Sequence, residues 1–216
     1  MPTPQQPATG PAPPLLQVEG LTFSYPSRPV FDNWSASFAP GLHLVCGDDG
    51  CGKTTLLRLL AAELLPQAGV IHRRTQQPGG EGSIQRQTVF RTDPASDGFN
   101  ALLPLQWFER LCSQYPDFDR SRAEEWIDRL FLREHLQKTG YMLSTGSRRK
   151  VWLAAALACN AELVLIDQPF AALDAPSIRV VTDLLQQLRG GGRRIVIVAD
   201  YEVPAGLHPD QVLRLG

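Results

Sequence analysis

Short apolar runs alternate with stretches of helical period along most of this chain. The apolar runs have the length and composition of buried strands, and they lie at 42–46 (LHLVC), 88–90 (TVF), 163–167 (LVLID), 194–199 (RIVIVA) and 211–215 (QVLRL). Helical patterns lie at 53–66, where Pro66 closes the run, at 143–158 and at 176–188. Strands alternating with helices predict the α/β class, with a mainly parallel sheet and flanking helices.

The first part of the chain has a different pattern. Residues 1–14 are rich in proline and predict a disordered lead-in. Residues 15–25 (LLQVEGLTFSY) predict an edge strand or a hairpin with Gly20 in the turn, and hence a small antiparallel N-terminal β part. The polar, glycine-rich residues 72–87 predict a mobile loop.

A helical block interrupts the strand pattern between residues 94 and 141. Pro104 stands at a plausible first helical position. In residues 119–131 a helix would place four apolar side chains on one face, namely Trp126, Ile127, Leu130 and Phe131. We therefore expect one domain over 15–216, with a core at 15–93 and 142–216 and an inserted helical subdomain at 94–141.

Composition narrows the function classes. The formal net charge of -1 gives no electrostatic reason to expect nucleic acid as a direct partner. The four cysteines form no C-x-x-C pair, which favours reduced thiols. No apolar run approaches the roughly 20 residues that span a bilayer, and no signal pattern opens the sequence. We expect a cytoplasmic protein whose membrane contact, if any, is made through a partner.

Residues 47–54 (GDDGCGKT) match G-x-x-x-x-G-K-[ST] between a buried strand and a helix, the context that a phosphate-binding loop requires. Glycines let the backbone wrap with its N–H groups turned toward the β- and γ-phosphates of a nucleoside triphosphate. Lys53 adds a positive charge between those phosphates, and the Thr54 hydroxyl is placed to ligate Mg²⁺. The candidate nucleotide-binding residues of this loop are Gly47, Asp48, Asp49, Gly50, Cys51, Gly52, Lys53, Thr54 and Thr55. The motif alone does not distinguish a kinase, a GTPase and an ATPase.

A second part of the site is expected at Asp167, which ends the apolar strand LVLID. A carboxylate at the carboxyl end of such a strand lies in the ligand-binding crevice of a parallel sheet. There it can hold Mg²⁺ directly or through water.

Four segments in this order resemble the ATP-binding subunits of ABC transporters. They are residues 47–55 (GDDGCGKTT, Walker A), 143–151 (LSTGSRRKV, signature), 163–174 (LVLIDQPFAALD, Walker B and D-loop) and Tyr25 upstream. The resemblance extends over nearly all of residues 15–215 and implies a P-loop NTPase core. It also implies that ATP and Mg²⁺ are the cofactors.

The resemblance assigns further roles. Tyr25 would stack on adenine, which aromatic rings do without close readout of the base. Ser144 and Gly146 would cap the γ-phosphate of ATP bound to the opposite subunit, and Asp174 would lie along the dimer seam. The implied partners are a second ABC ATPase chain, identical or related, and an ABC transmembrane subunit contacted through the helical subdomain and the loop near Asp93. The chain would then be attached peripherally to the inner membrane.

Several positions depart from the family pattern. Gln168 stands where the family places the glutamate that activates water, and an amide accepts no proton at neutral pH. Asp200 stands at the position of the switch histidine, where a carboxylate would repel the γ-phosphate. Asp93 is the best match to the Q-loop glutamine and the third candidate metal ligand beside Thr54 and Asp167. In the signature, Thr145 replaces a glycine and Ser147 a glutamine. With Lys53 and Asp167 as the other catalytic candidates, we expect a site that binds MgATP and hydrolyses it slowly or only with a partner.

Three functions remain open from the sequence. The first is the ATP-binding subunit of a bacterial ABC transporter, the second an ATP-binding regulatory switch without a transport role, and the third a kinase on a P-loop core. A kinase would leave the signature segment idle. Exposed apolar residues around Phe99, Leu102, Leu103 and Trp107 would favour a membrane partner, although core positions are their commoner role.

Overall fold

The computed structural model describes residues 15–74, 89–189 and 192–216. The expected lead-in at 1–14 and most of the expected loop, together with Thr88, lie outside the described residues. The strands are β1 (Leu16–Tyr25), β2 (Arg28–Phe38), β3 (Gly41–Cys46), β4 (Ala68–Arg73), β5 (Val89–Arg91), β6 (Leu163–Asp167), β7 (Ile195–Asp200) and β8 (Gln211–Arg214). The α-helices are α1 (Lys53–Leu60), α2 (Pro104–Gln114), α3 (Arg120–Arg129), α4 (Thr145–Ala158) and α5 (Ala175–Gln186).

A five-stranded sheet in the order β5-β6-β7-β3-β8 forms the centre of the fold. Its strand pairs are all parallel, as the alternation of strands and helices predicted. All six residues of β3 are buried, because helices or the second sheet cover both faces. The carboxyl ends of β3, β6 and β7 therefore meet at one edge, where Cys46 is paired with Asp200 and Asp167 with Ala199.

A three-stranded antiparallel sheet in the order β2-β1-β4 carries the N-terminal part. The expectation of an edge strand, or of a turn at Gly20, was wrong. β1 lies in the middle of this sheet and continues through Gly20, and its register shifts between Val18 and Leu21. Gly20 has φ 61°, a conformation that suits a glycine at a β-bulge. The hairpin turn instead falls at residues 26–27.

Helix α1 is shorter than predicted. It ends at Leu60, and Ala62 then adopts φ 56°, so Pro66 does not close it. The N–H of Glu63 donates to the Arg58 carbonyl at 2.9 Å, which turns the chain away from the helix axis. Leu65 is consequently 81% exposed, although its apolar character suggested a continued helix.

Within the helical block, α2 begins at Pro104, as the sequence predicted. Trp126, Ile127 and Leu130 are buried, whereas Phe131 is 58% exposed. The prediction that Phe131 shares their face was wrong, because α3 has ended by that point and Phe131 has φ 57°. His72 and Arg73, expected in a loop, belong to β4.

Two apolar clusters lie on opposite faces of the parallel sheet. One joins the helical block, α4 and α5, and the other joins α1 and the antiparallel sheet. Phe99 and Trp107 belong to the first cluster, where the Trp107 ring centroid lies 4.4 Å from that of Trp152. They are core residues and offer no exposed docking surface. Among the described residues, no helix has both the length and the apolarity needed to cross a bilayer.

Candidate nucleotide site

The loop between β3 and α1 has the tight conformation expected of a phosphate-binding loop. Gly50 and Gly52 adopt φ 77° and 109°, values that residues other than glycine rarely adopt. A Cβ at Gly52 would also lie 2.7 Å from a methyl carbon of Val30. Arg28, the first residue of β2, donates from Nη2 to the Gly50 carbonyl at 2.6 Å. The β1–β2 hairpin thus packs against the phosphate loop and supports it.

Lys53 is buried and folded back onto its own loop. Its ammonium donates to the carbonyls of Gly47 and Asp48 and lies 4.8 Å from the centroid of the Tyr201 ring. The Tyr201 hydroxyl donates to Asp49 Oδ1 at 2.6 Å. Tyr201 therefore contacts the phosphate loop at two points from the neighbouring strand. Sequence reasoning missed this residue, whose one available signal was its position directly after Asp200.

Thr54 and Asp167 are in direct contact. The Thr54 hydroxyl donates to Asp167 Oδ2 at 2.6 Å, while Asp167 Oδ1 is buried without a hydrogen-bond partner among the described residues. Burial raises the pKa of Asp167, and the Thr54 hydrogen bond and the charge of Arg91 oppose that rise. A hydroxyl beside a carboxylate with one free buried oxygen is an oxygen donor set that fits Mg²⁺.

Asp93, the third predicted metal ligand, has a different partner in the structure. Its carboxylate accepts a hydrogen bond from Arg91 Nη2 at 2.9 Å. No group of three or more His, Cys, Asp or Glu side chains in the described ranges could hold a metal. Mg²⁺ usually keeps several water ligands and needs few from the protein, so Thr54 and Asp167 would suffice. The role of Asp93 in metal binding stays a prediction.

Gln168 follows Asp167 in a left-handed backbone conformation. It has φ 45°, and its N–H donates to the Ala199 carbonyl at 2.8 Å. Its side chain acts on the Tyr201 hydroxyl and lowers the pKa of Tyr201, against the larger rise caused by the hydrogen bond to Asp49. The amide is thus held at the strand ends, where it can orient a water molecule but cannot remove a proton from it.

Asp200 lies at the end of β7, between the strands that carry the phosphate loop and Asp167. Its Oδ1 accepts a hydrogen bond from the Tyr201 N–H at 2.8 Å, and its buried Oδ2 has no partner in the part of the chain described. Burial raises the pKa of Asp200, and the negative charge of Asp167 adds to that rise. The site therefore holds two carboxylates in mutual repulsion.

Arg149 is a cation of this site that sequence reasoning did not identify. It projects from α4, and its Nη1 donates to the Ala171 carbonyl. Burial lowers the pKa of Arg149, while Asp167 and Asp200 oppose that change by attraction. Its position within the RRK run of the signature segment gave no indication of this role.

Tyr25 lies at the rim of a cleft of about 180 Å³ that the phosphate loop also lines. It is 37% exposed, and its hydroxyl lies 3.4 Å from Thr55 Oγ1. Its ring packs edge-on against Phe23 at a centroid distance of 5.1 Å. The side chain is thus held beside the loop and is partly exposed. Its stacking role stays a prediction.

Ser144 and Gly146 begin α4. Ser144 is the N-cap, and its Oγ accepts a hydrogen bond from the Ser147 N–H at 3.1 Å. The Ser147 hydroxyl links Ser144 Oγ, at 2.9 Å, to His135 Nε2, at 3.1 Å. A Cβ at Gly146 would lie 2.4 Å from the Ala172 carbonyl oxygen, so only glycine fits at this close approach. Ser147, where the family has glutamine, thus connects the N-cap Ser144 to His135 through two hydrogen bonds.

Asp174 caps α5 and pairs with α4. Its Oδ1 accepts a hydrogen bond from the Ser177 N–H at 2.8 Å, and its Oδ2 lies 3.1 Å from the Lys150 ammonium. The Ser177 hydrogen bonds and Lys150 lower the pKa of Asp174 to about 2. The D-loop and signature segments are therefore joined within one chain.

The comparison with known families agrees with this geometry. Residues 31–171 match the family model described as ABC transporter. The chain belongs to the ABC transporter family. The match contains the phosphate loop, the signature segment and Asp167, and membership supports ATP binding and places the chain among the ABC ATPases.

The relatives are ATP-binding proteins of both import and export systems. The taurine import ATP-binding protein TauB of Yersinia pestis is 32% identical, over 85% of this chain and 72% of its own length. The lipopolysaccharide export system ATP-binding protein LptB of Acidithiobacillus ferridurans is 32% identical, over 88% of this chain and 80% of its own. The fold is that of a putative ABC transporter ATP-binding protein from Pyrococcus furiosus, with a TM-score of 0.75, 23% identity, and coverage of 93% of this chain and 96% of the other.

Proposed function

We propose that this chain is the ATP-binding subunit of a bacterial ABC transporter that holds MgATP firmly and hydrolyses it slowly, or only beside a partner chain. The observation that carries the proposal is the contact between Thr54 and Asp167 at 2.6 Å, followed directly by Gln168. The metal-binding half of the site is assembled, whereas the group that would activate water is an amide.

The expected slow step follows from proton transfer. A general base typically contributes about 10²- to 10⁴-fold to a rate, and Gln168 cannot serve as one. Asp200 adds a negative charge where the γ-phosphate would lie, and its buried Oδ2 has no partner among the described residues to neutralise it. Binding through the loop N–H groups, Lys53 and Thr54 does not depend on either group.

A dimer would give these changes a function. In the family arrangement, each nucleotide lies between the phosphate loop of one chain and the signature segment of the other. Ser144 and Gly146 of this chain, at the N-terminus of α4 where backbone N–H groups favour an anion, would then complete the site of its partner. Beside a competent relative the chain would serve that relative's active site, and in a homodimer ATP would act mainly to hold the two copies together.

Coupling to a transmembrane subunit is proposed through the helical block and the loop after Asp93. Arg148 of α4 donates to the side-chain oxygen of Asn100 and to the carbonyl of Ser96. These bonds link the signature helix to the loop that follows Asp93. A displacement of that loop by a membrane partner would therefore be transmitted to the segment that carries Ser144.

The test compares the purified wild-type chain with a Gln168→Glu variant. We expect both to bind ATP with Mg²⁺ at similar affinity, measured by calorimetry, and the variant to turn over ATP about 10²-fold faster or more. A Gln168→Ala variant is the matched control, because it removes the amide without adding a base and should stay as slow as the wild type. Equal turnover by the wild type and Gln168→Glu would refute the slow-hydrolysis proposal.

The transport role needs a separate experiment. Affinity purification of the tagged chain from solubilised membranes should recover a polytopic membrane protein in a fixed ratio. Variants at Arg148 that keep ATP binding should weaken that recovery if the loop and the signature helix act together. Recovery of soluble proteins alone would instead favour the regulatory-switch alternative.

A further inference from the structure

A cavity of about 250 Å³ lies where α3, α4 and α5 meet the amino-terminal end of β7. The nucleotide site lies at the other end of that strand, its carboxyl end. Arg194 lines it and directly precedes the first residue of β7, whereas Asp200 ends that strand. Six residues of strand span about 20 Å at ~3.3 Å per residue. The cavity is therefore separate from the phosphate loop.

Two arginines face this cavity without a carboxylate partner. Arg122 and Arg194 both line it, and among the described residues neither forms an ion pair. The hydrogen bond found for the Arg194 guanidinium goes to the neutral Asn160 side chain at 3.2 Å. Burial lowers the pKa of Arg194, and repulsion from Arg122 lowers it further. The two guanidinium groups are thus close enough to repel each other.

The acidic groups nearby have other roles. The Glu162 carbonyl pairs with the Ile195 N–H, but the Glu162 carboxylate pairs with Arg73 at 2.9 Å. Asp119 uses its carboxylate to cap α3 at the Arg122 N–H. The Cys159 thiol has its pKa raised by burial to about 12 and is neutral near pH 7. These groups leave the positive charge of the cavity unbalanced.

Trp126 also lines the cavity. It is 6% exposed, and its buried indole Nε1 has no acceptor in the described part of the chain. Partly buried guanidinium groups without an anion carry a cost in free energy. An oxyanion in the cavity would relieve that cost, because oxyanions accept several charge-assisted hydrogen bonds at once.

We propose that this cavity between α3 and β7 binds a small oxyanion of the phosphate or sulfate class, held by Arg122 and Arg194. Pockets for drug-sized ligands measure about 300–1,000 Å³, so a volume of about 250 Å³ suits a small anion better than a nucleotide. Leu157 and Leu184 supply apolar walls that strengthen the charge interaction by limiting water. Since Arg122 and Trp126 belong to the helical block and Arg194 to the core, the anion would bridge the two parts.

The test uses inorganic phosphate as the probe, titrated against chloride at constant ionic strength. The protein is saturated with MgADP so that the phosphate loop is occupied, and melting temperature and tryptophan fluorescence are recorded. We expect phosphate to raise the melting temperature of the wild type. Arg194→Gln and Arg122→Gln should each weaken the phosphate response by about tenfold or more, the loss expected from one charge-assisted pair.

Arg193→Gln is the matched control, since Arg193 is exposed beside Arg194 and is absent from the lining. It removes the same charge and should leave the phosphate response unchanged. In the absence of phosphate, Arg194→Gln should be at least as stable as the wild type, which a purely structural role for Arg194 would not allow. An equal loss in Arg193→Gln, a response abolished by Lys53→Met, or no response beyond that of chloride would each overturn the proposal.

Discussion

The Thr54 hydroxyl and the Asp167 carboxylate are joined by a 2.6 Å hydrogen bond although 113 residues separate them in sequence. Thr54 is the second residue of α1, and Asp167 ends β6. Their contact fixes the distance between the phosphate loop and the strand that supplies the carboxylate. The two oxygen-bearing side chains are thus placed side by side, as an Mg²⁺ site would need them.

Thr54→Val should abolish most of the Mg²⁺-dependent part of ATP affinity. Valine has nearly the shape of threonine but lacks the oxygen, and losing a group that supports a metal site typically costs about 10- to 100-fold in affinity. Calorimetry with Mg²⁺ and with EDTA separates the metal-dependent part from the rest. Thr54→Ser keeps the hydroxyl and should bind like the wild type. An equal loss in Val and Ser variants would show that the methyl group, and not the oxygen, is responsible.

Tyr201→Ala should bind ATP more tightly than the wild type. The Tyr201 ring and the Gly47 and Asp48 carbonyls hold the Lys53 ammonium against its own loop, and a cation–π contact contributes about 0.5–1 kcal/mol or more. This contact competes with the phosphates for the ammonium, so its removal should lower the dissociation constant of ATP by about two- to fivefold. Tyr201→Phe keeps the ring and loses only the Asp49 bond, so its effect should be smaller. Weaker binding in Tyr201→Ala would mean that the ring contacts the nucleotide itself.

Asp200→Asn should favour ATP over ADP and stabilise the nucleotide-free protein at pH 7. The asparagine keeps the shape and removes a charge that would face the γ-phosphate. Because burial raises the pKa of Asp200 above its ordinary value, the ionised form is disfavoured in the folded state. The wild type therefore gains stability relative to the variant as the pH falls through that raised pKa. Melting curves from pH 7 to pH 4 should show the gap closing, and a gap that widens would contradict the assignment.

Asp174 offers a matched pair of variants. Asp174→Asn keeps an N-cap acceptor for Ser177 and loses the charge beside Lys150, whereas Asp174→Ala loses both. An N-cap replaced by alanine costs about 0.5–2 kcal/mol, so the alanine variant should be clearly the less stable in urea unfolding. A depressed pKa of about 2 means that the carboxylate stabilises the fold above its ordinary pKa and loses that effect as the pH falls toward 2. The free energies of unfolding of the wild type and the asparagine variant should therefore converge as the pH approaches 2.

Sequence reasoning reached the parallel sheet and the phosphate loop because local signals encode them. The continuous apolar runs at 42–46 and 163–167 are typical of strands buried on both faces. The glycines of the loop indicate backbone conformations that other residues rarely adopt. The ends of the helices were predicted less well than the strands. Leu65 and Phe131 are apolar residues that follow a helix and stay exposed, because left-handed residues turn the chain before they could pack.

The electrostatic partners of the site were not predictable in the same way. Arg149 and Tyr201 reach the nucleotide site through the packing of α4 and the turn after β7, and no spacing in the sequence encodes those contacts. Gln168 and Asp200 were identified from their departure from a family pattern. No sequence pattern indicated that Asp200 Oδ2 would be buried without a partner among the described residues.

The strand order also has a kinetic consequence. β7 is inserted between β6 and β3, so the two strands that carry Asp167 and the phosphate loop have no direct pairing with each other. During synthesis, a nascent chain that has not yet reached Ile195 can form both segments but cannot hold them side by side. Long-range parallel pairing of this kind folds slowly, and we expect ATP to protect the chain from proteolysis only after β7 has left the ribosome.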